Sequence, residues 1–269
     1  MSKSRIQLHE VIVEKNKINY RYSYSSDLNK YFTNRDDLYI SYDSDISAIP
    51  KSILAIPWLS NFAVISWFTG STILIDEVDQ DFVECLSILK KAFSETHLDI
   101  LCKKSDLIVT NLVKNNYQLH KEAMLFSGGL DAWTTFLKHK DKKFDLITIQ
   151  GSDIELHDDK KVQLIRTSYQ ENPLLSDLNV HFVSCNFRNF YNQNLEKLIN
   201  FNYVDWWTLV QHGLALTACS APLAYLYGYS NVFIASSFSE KENFLWGSSI
   251  LDNYIKFGNT TITHDGMEF

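Results

Sequence analysis

The chain is poor in the residues that punctuate or cross-link a fold, with 9 Gly, 4 Pro, 4 Cys and 3 Met among 269 residues. Cys85, Cys102, Cys185 and Cys219 lie far apart with no Cys-x-x-Cys pair. That spacing signals neither a zinc knuckle nor a disulfide framework, and buried free thiols in a reducing, cytoplasmic setting are expected. Basic charge is also short. The 25 Lys and Arg face 32 Asp and Glu, a formal charge of −7, so no basic face is expected for broad nucleic-acid binding. There is no G-x-x-x-x-G-K-[ST], no G-x-G-x-x-G and no G-x-S-x-G, which argues against a Walker-type NTPase, a dinucleotide fingerprint and a nucleophile elbow. The opening residues Met1-Ser2-Lys3-Ser4-Arg5-Ile6-Gln7 lack the apolar core of a secretory signal.

Two stretches, 54–75 and 206–239, contain no Asp, Glu, Lys or Arg, and their length raises the question of a membrane span. In the first, Pro57, Ser60, Asn61, Ser66 and a Thr69-Gly70-Ser71 turn interrupt β-branched and aromatic runs, which reads as a hairpin of two buried strands. The second is punctuated by Gln211, His212, Pro222 and Gly228 and reads as a buried helix followed by a buried strand. No membrane partner is expected.

What is present is a core. Hydrophobic residues make up 45% and aromatics 14%, enough for a folded globular chain. Residues 1–115 read as a β-rich region, with alternations such as Ile18-Asn19-Tyr20-Arg21-Tyr22. An amphipathic helix over 82–96, with Phe82, Cys85, Leu86, Leu89 and Phe93 on one face, closes it. From residue 116 to 269 strands alternate with helices. Strands are predicted at 123–126, 144–150, 180–184 and 231–235, and helices at 132–139, 159–170 and 206–227, the last ending at Gly228. This pattern predicts an α/β fold, a parallel sheet with helices on both faces, whose ligands bind at the carboxyl ends of the strands.

Ser127-Gly128-Gly129-Leu130-Asp131 falls between the first of those strands and its helix. Two glycines let backbone N–H groups approach an anion, and the helix start points its positive dipole end at the same place. Ser127 adds a hydroxyl. Asp131 would repel phosphate unless a cation intervenes, so Mg²⁺ bridging Asp131 and phosphates is expected. The bland alternative is a tight strand-to-helix turn with Asp131 as a capping residue.

With Ala132, this segment resembles the Ser-Gly-Gly-x-Asp-Ser signature of PP-loop ATP pyrophosphatases, the adenine-nucleotide α-hydrolase-like superfamily, and in particular its 7-cyano-7-deazaguanine-synthase-like members. Further similarities follow in order: Asn186-Phe187-Arg188, Gln211-His212-Gly213, Ile234-Ala235-Ser236-Ser237, Trp246-Gly247-Ser248 with Asp252, and His264-Asp265-Gly266. The resemblance implies a HUP-like sheet and an ATP-dependent adenylating ligase. In such an enzyme a carboxylate or carbonyl oxygen attacks the α-phosphorus, pyrophosphate leaves, and a nitrogen or sulfur nucleophile traps the adenylate. The substrate would be a small molecule, a modified base or a peptide. It further implies ATP contacts from Ser127, Gly128, Gly129, Leu130, Asp131, Gln150, Gly151, His212, Gly213, Ser236 and Ser237, with adenine held by the backbone of Gln150-Gly151-Ser152-Asp153 and catalytic roles for Ser127, Asp131 and Lys241.

Three departures stand beside it. Ala132 replaces the terminal serine, no cysteine follows Cys219 where deazaguanine synthases carry a zinc site, and the sequence stops at Phe269 where relatives continue. These favour, as the alternative, a nucleotide-binding non-catalytic subunit of a multi-protein system such as anti-phage defence, with a partner protein completing the site. Asp158 or Asp159 is expected to cap a helix, with His157-Asp158-Asp159 as a metal alternative, and Lys256, Asp252, His264 and Asp265 are further candidates.

Overall fold

The computed structural model describes residues 3–33, 37–95, 102–199, 205–237 and 250–268. The first region opens with an antiparallel pair, β1 (Arg5–Glu14) and β2 (Lys17–Tyr24), followed by β3 (Tyr39–Tyr42). A short helix α1 (Lys51–Leu54), a longer helix α2 (Ile56–Thr69), strand β4 (Thr72–Asp79), helix α3 (Gln80–Phe93) and strand β5 (Asp106–Val113) complete it. The second region runs β6 (Lys121–Leu125), α4 (Leu130–Lys138), β7 (Asp145–Gln150), α5 (Asp159–Glu171) and β8 (Val180–Cys185). It continues with α6 (His212–Ala218), α7 (Ala221–Tyr227), β9 (Tyr229–Ala235), β10 (Lys256–Phe257) and β11 (Thr260–Asp265).

The eleven strands among the described residues join one sheet in the order β10-β11-β9-β6-β7-β8-β3-β2-β1-β4-β5. Six of its ten neighbour pairs are parallel, including the block β11-β9-β6-β7-β8. The β-rich N-terminal strands attach where Ile40 of β3 pairs with Cys185 of β8. The α/β reading therefore stands, with a mostly parallel sheet flanked by helices. Helices α4 and α5 cover one face over Met124, Phe126, Phe136, Phe144, Tyr169 and Phe233. The opposite face buries a larger core under the remaining helices, with Trp58, Phe62, Leu214, Ala215 and Leu223 among its fully buried residues.

The hairpin expected across 54–75 is not there. Residues 56–69 form α2, in which thirteen of fourteen residues are buried, and only 72–79 is strand. The polar residues that looked like turn formers bond within or just beyond the helix: Ser60 Oγ and Asn61 Nδ2 each donate to the Pro57 carbonyl at 2.8 Å, and Ser66 Oγ donates to the Ser71 carbonyl at 2.8 Å. Gly70, at φ 75°, ends the helix in the left-handed conformation. Each large apolar side chain buried this way stabilises the fold by roughly 1.5–3 kcal/mol, which outweighs the β preference of Val64 and Ile65.

The single helix expected over 206–227 is also broken. A π-helical turn (Trp207–Gln211) precedes α6, and Pro222 sits in the first turn of α7 after the Cys219-Ser220 interruption. Gly228, at φ 68°, does close α7. Asp158 caps α5 by accepting from the Lys161 N–H at 3.0 Å, as expected, and all four cysteines are free. Among the described residues no helix is long and apolar enough to cross a membrane.

Candidate functional site

Strand β6 is followed in the chain by its neighbour β7 and then β8 on one side, whereas β9 pairs with it on the other. This reversal of direction leaves a crevice at the carboxyl ends of β6 and β9, where open α/β sheets bind ligands. A cleft of about 240 Å³ opens there. Leu125, Ile147, Ile149, Ile154, Leu216 and Ile234 form its apolar wall, and Ser127, Gly129, Asp131, Ser152, Asp153, His212 and Ser237 supply polar groups.

The loop starts from a fixed point. Thr148 Oγ1 donates to the Phe126 carbonyl at 2.7 Å and the Tyr169 hydroxyl does so at 3.4 Å. Gly128 then takes φ +78°, and a Cβ there would stand 3.1 Å from the Tyr169 hydroxyl oxygen, so glycine suits both the conformation and the space. Gly129 N–H donates to Ser127 Oγ at 3.2 Å, which folds the serine over the turn. Helix α4 begins at Leu130 with Gly129 as its N-cap and no side-chain cap. The first N–H groups of a helix have no partner within it and carry its positive dipole end, and here that end stands beside the cleft that Gly129 and Asp131 line.

Asp131 lies in that first turn, exposed and lining the cleft. A single free carboxylate beside a cradle of N–H groups fits a Mg²⁺ shared with phosphates, because Mg²⁺ is bound through one or two carboxylates, substrate phosphates and waters. Among the described residues no group of three or more His, Cys, Asp and Glu side chains is arranged to hold a metal by itself, the His157-Asp158-Asp159 alternative included. Ala132 is 4% exposed and packs in the core beneath α4 while its surface touches the cleft.

His212 opens α6 and meets the Trp207 ring edge-on, centroids 5.3 Å apart. Burial pushes its imidazole pKa down, against the opposing pull of Asp252 and Asp153, so the ring is neutral at pH 7, with one nitrogen able to donate and the other able to accept. Beside it lies a second pair. His264 Nδ1 and Asp252 Oδ2 are 2.8 Å apart with both side chains fully buried. Burial raises the Asp252 pKa, partly offset by His264. His264 Nε2 and Asp252 Oδ1 have no partner among the described residues.

Of the residues named from sequence, the cleft thus gathers Ser127, Gly129, Asp131, His212 and Ser237, with Gly128 shaping the turn. Leu130 is 81% exposed, outside the lining. Gln150 and Gly151 do not line it. Gln150 Nε2 donates to the Glu155 carbonyl at 3.1 Å, and Gly151, at φ +104°, packs so tightly that a Cβ would stand 1.8 Å from the Cys185 carbonyl oxygen. The residues that do face the cleft from this loop are Ser152, Asp153 and Ile154. Of the four residues Gln150-Gly151-Ser152-Asp153 singled out from sequence, the last two line the cleft and the first two do not, because the sharp turn at Gly151 redirects the side chains that follow it; only Ile154 was not named from sequence. Gly213 is buried behind His212, its carbonyl accepting from Thr217 Oγ1 at 2.7 Å. Ser236 is 7% exposed and its N–H donates to the Asp265 carbonyl at 2.7 Å. Lys241 and Trp246-Gly247-Ser248 lie outside the described residues.

Lys256 is drawn elsewhere, its Nζ 3.6 Å from Asp81, and Asp265 is taken by Lys138 at 2.6 Å and His139 at 3.0 Å. Among the described residues no Lys or Arg lines the cleft. Comparisons of the chain with protein-family models, with curated proteins and with solved structures gave no match.

Proposed function

We propose that the chain binds ATP in the manner of PP-loop pyrophosphatases and is an adenylating ligase, converting ATP to AMP and pyrophosphate while it activates a carboxylate or carbonyl. The observation that carries this reading is the junction of β6 and α4: a glycine turn held by Phe126, an uncapped helix start and a free Asp131, all at the reversal point of the sheet. The apolar wall of Ile147, Ile149, Ile154 and Ile234 suits a flat adenine, with Ser152 and Asp153 at its edge for hydrogen bonding. The loop N–H groups would hold the phosphates.

In the reaction an acceptor oxygen bonds to the α-phosphorus, the bond from that phosphorus to the β-phosphate oxygen breaks, and pyrophosphate departs with the electron pair. Asp131 would hold a Mg²⁺ together with the phosphates, and the ion would supply charge neutralisation on the leaving group. The chain's own part is positioning: N–H groups of the turn, the Ser127 hydroxyl and the neutral His212 ring orient the phosphates and exclude water. Incubation with α- and γ-labelled ATP and candidate acids tests the reading. AMP and pyrophosphate are expected; ADP and orthophosphate instead would overturn it.

Two observations favour a second reading, a nucleotide-binding subunit without turnover. Ala132 fills a core position where the signature has a hydroxyl, and no described cation faces the cleft. ATP binding abolished by Asp131→Asn, with no turnover by the wild type, would select it.

A further inference from the structure

We propose that the groove adjoining the cleft binds the acceptor, and that this acceptor is a zwitterionic carboxylate, an amino acid or the end of a peptide, with its carboxylate docked on Arg188. The term acceptor rests on the ligase reading above; the binding chemistry does not. The groove, of about 710 Å³, is lined by Ser152, Glu155, His157, Asp158, Arg188 and Asn189 together with Gly151 and Leu156, and it shares Ser152 with the nucleotide cleft. It lies beyond the carboxyl ends of β7 and β8, the side of the sheet on which the cleft opens.

Arg188 is held by its face and not by its edge. Its guanidinium carbon lies 5.2 Å from the centroid of the Trp207 ring, which stacks on Phe187 at 4.8 Å and meets His212 at 5.3 Å. One aromatic ring therefore positions both the groove's cation and the cleft's imidazole. The N–H edge of the guanidinium is barely used. Its contact to the Ser152 carbonyl is 3.5 Å and its approach to Asp205 is 3.7 Å, with both side chains partly exposed at 39% and 44%. An exposed pair at that distance is weak, whereas a planar five-donor fork binds a carboxylate bidentately. Arg188 is the only Lys or Arg among the described residues that line cleft or groove.

The opposite charge is present as well. Glu155 and Asp158 line the same groove, and Asp158 already spends one oxygen on the α5 cap. Two carboxylates facing one guanidinium repel a dianion and complement a molecule that carries an amine beside its carboxylate. The wall between the two spaces adds an independent sign of a ligand. Ser152 Oγ is buried with no hydrogen-bond partner among the described residues, a state that folded proteins seldom leave unmatched.

The test measures binding by thermal shift and equilibrium dialysis, with the free amino acids and di- and tripeptides as probes and succinate and citrate as dianion controls. Each is run with and without Mg²⁺ and a non-hydrolysable ATP analogue. Wild type should bind at least one zwitterion in preference to the dianions. Arg188→Ala should weaken that binding at least tenfold while leaving affinity for the analogue within twofold. Arg188→Lys should not restore it, since a point charge lacks the fork, and Glu155→Gln should weaken zwitterions while strengthening dianions. Equal zwitterion binding by wild type and Arg188→Ala, preference for dianions, or no binding of any probe would each overturn the proposal. Failure of the analogue to bind, with Arg188-dependent zwitterion binding intact, would instead remove the nucleotide reading and leave the groove assignment standing.

Discussion

Gln211 donates from its side-chain amide to the Asn61 side-chain oxygen in a fully buried contact between the π-helical turn before α6 and the middle of α2. The same Gln211 amide donates to the Phe187 carbonyl at 3.0 Å, and its oxygen accepts from Trp206 Nε1 at 3.1 Å. Asn61 in turn donates to the Pro57 carbonyl. Gln211 immediately precedes His212, so the apolar N-terminal helix helps to set where the cleft's imidazole stands.

A double-mutant cycle should expose that coupling. Asn61→Leu or Gln211→Leu alone strands buried polar groups and is expected to cost about 1–3 kcal/mol. The double variant should cost less than the sum, with a coupling of at least ~0.5 kcal/mol. Urea unfolding of the four proteins measures this, and strict additivity would show that the two amides do not act as one unit.

The glycine turn makes a sharper demand. Gly128→Ala places a Cβ 3.1 Å from the Tyr169 hydroxyl at φ +78°, so it should cost roughly 1 kcal/mol in stability and move the loop N–H groups. Asp131→Asn should leave stability nearly unchanged, because the carboxylate is exposed, yet reduce Mg²⁺-dependent ATP affinity at least tenfold. Isothermal titration with and without Mg²⁺ separates the two effects. An Asp131→Asn protein that binds MgATP like wild type would deny the aspartate its metal role.

Legibility from sequence follows from how each residue is used. The strands and helices of 121–171 could be read because each apolar run is short and bounded, and because Asp158 announces a helix with a side chain that caps it. Helix α2 was hidden for the opposite reason. Buried all round, it keeps no polar face, so the 3.6-residue period has nothing to alternate against. Its Ser60, Asn61 and Ser66 looked like turn residues although each bonds a backbone carbonyl within or next to the helix. At the site, the Ser127-Gly128-Gly129 turn was visible from composition. Arg188 and Trp207 were not visible as neighbours, since nineteen positions separate them in the chain and no single periodic pattern carries both.

Stability should also respond to pH through His181. Its Nδ1 lies 3.7 Å from Asp43 and its Nε2 3.7 Å from Asp145, while Lys121, Asn179 and the Tyr229 hydroxyl also face Asp145. Burial disfavours the imidazolium, but the two carboxylates outweigh it and raise the pKa above its ordinary 6.5. A raised histidine pKa gives stability that is complete below about 6.5 and lost as pH climbs through the folded-state value. Asp145 is held below the usual carboxylate range against burial by His181, Asn179, Lys121 and Tyr229; its contribution is present above the ordinary aspartate value and fades in acid. Wild type should therefore lose stability relative to His181→Gln as pH rises above the ordinary 6.5. Parallel urea midpoints for the two proteins across that range would refute the assignment.

The Asp252–His264 pair makes the opposite demand on a carboxyl group. Burial raises the Asp252 pKa, so the folded state favours the protonated acid. Stability from this group is therefore lost as pH rises from the ordinary value of 3.8 through the raised one. Asp252→Asn keeps an oxygen for the His264 ring at 2.8 Å and removes the charge, so it should flatten this part of the profile at small cost. His264→Ala leaves a buried carboxylate without its partner, which costs about 3–5 kcal/mol when the acid stays ionised. Comparing urea midpoints of His264→Ala and of the double variant Asp252→Asn/His264→Ala decides between charge and packing. If the charge is what hurts, the asparagine recovers much of the loss; if the double variant is as unstable as His264→Ala, the imidazole matters for the space it fills.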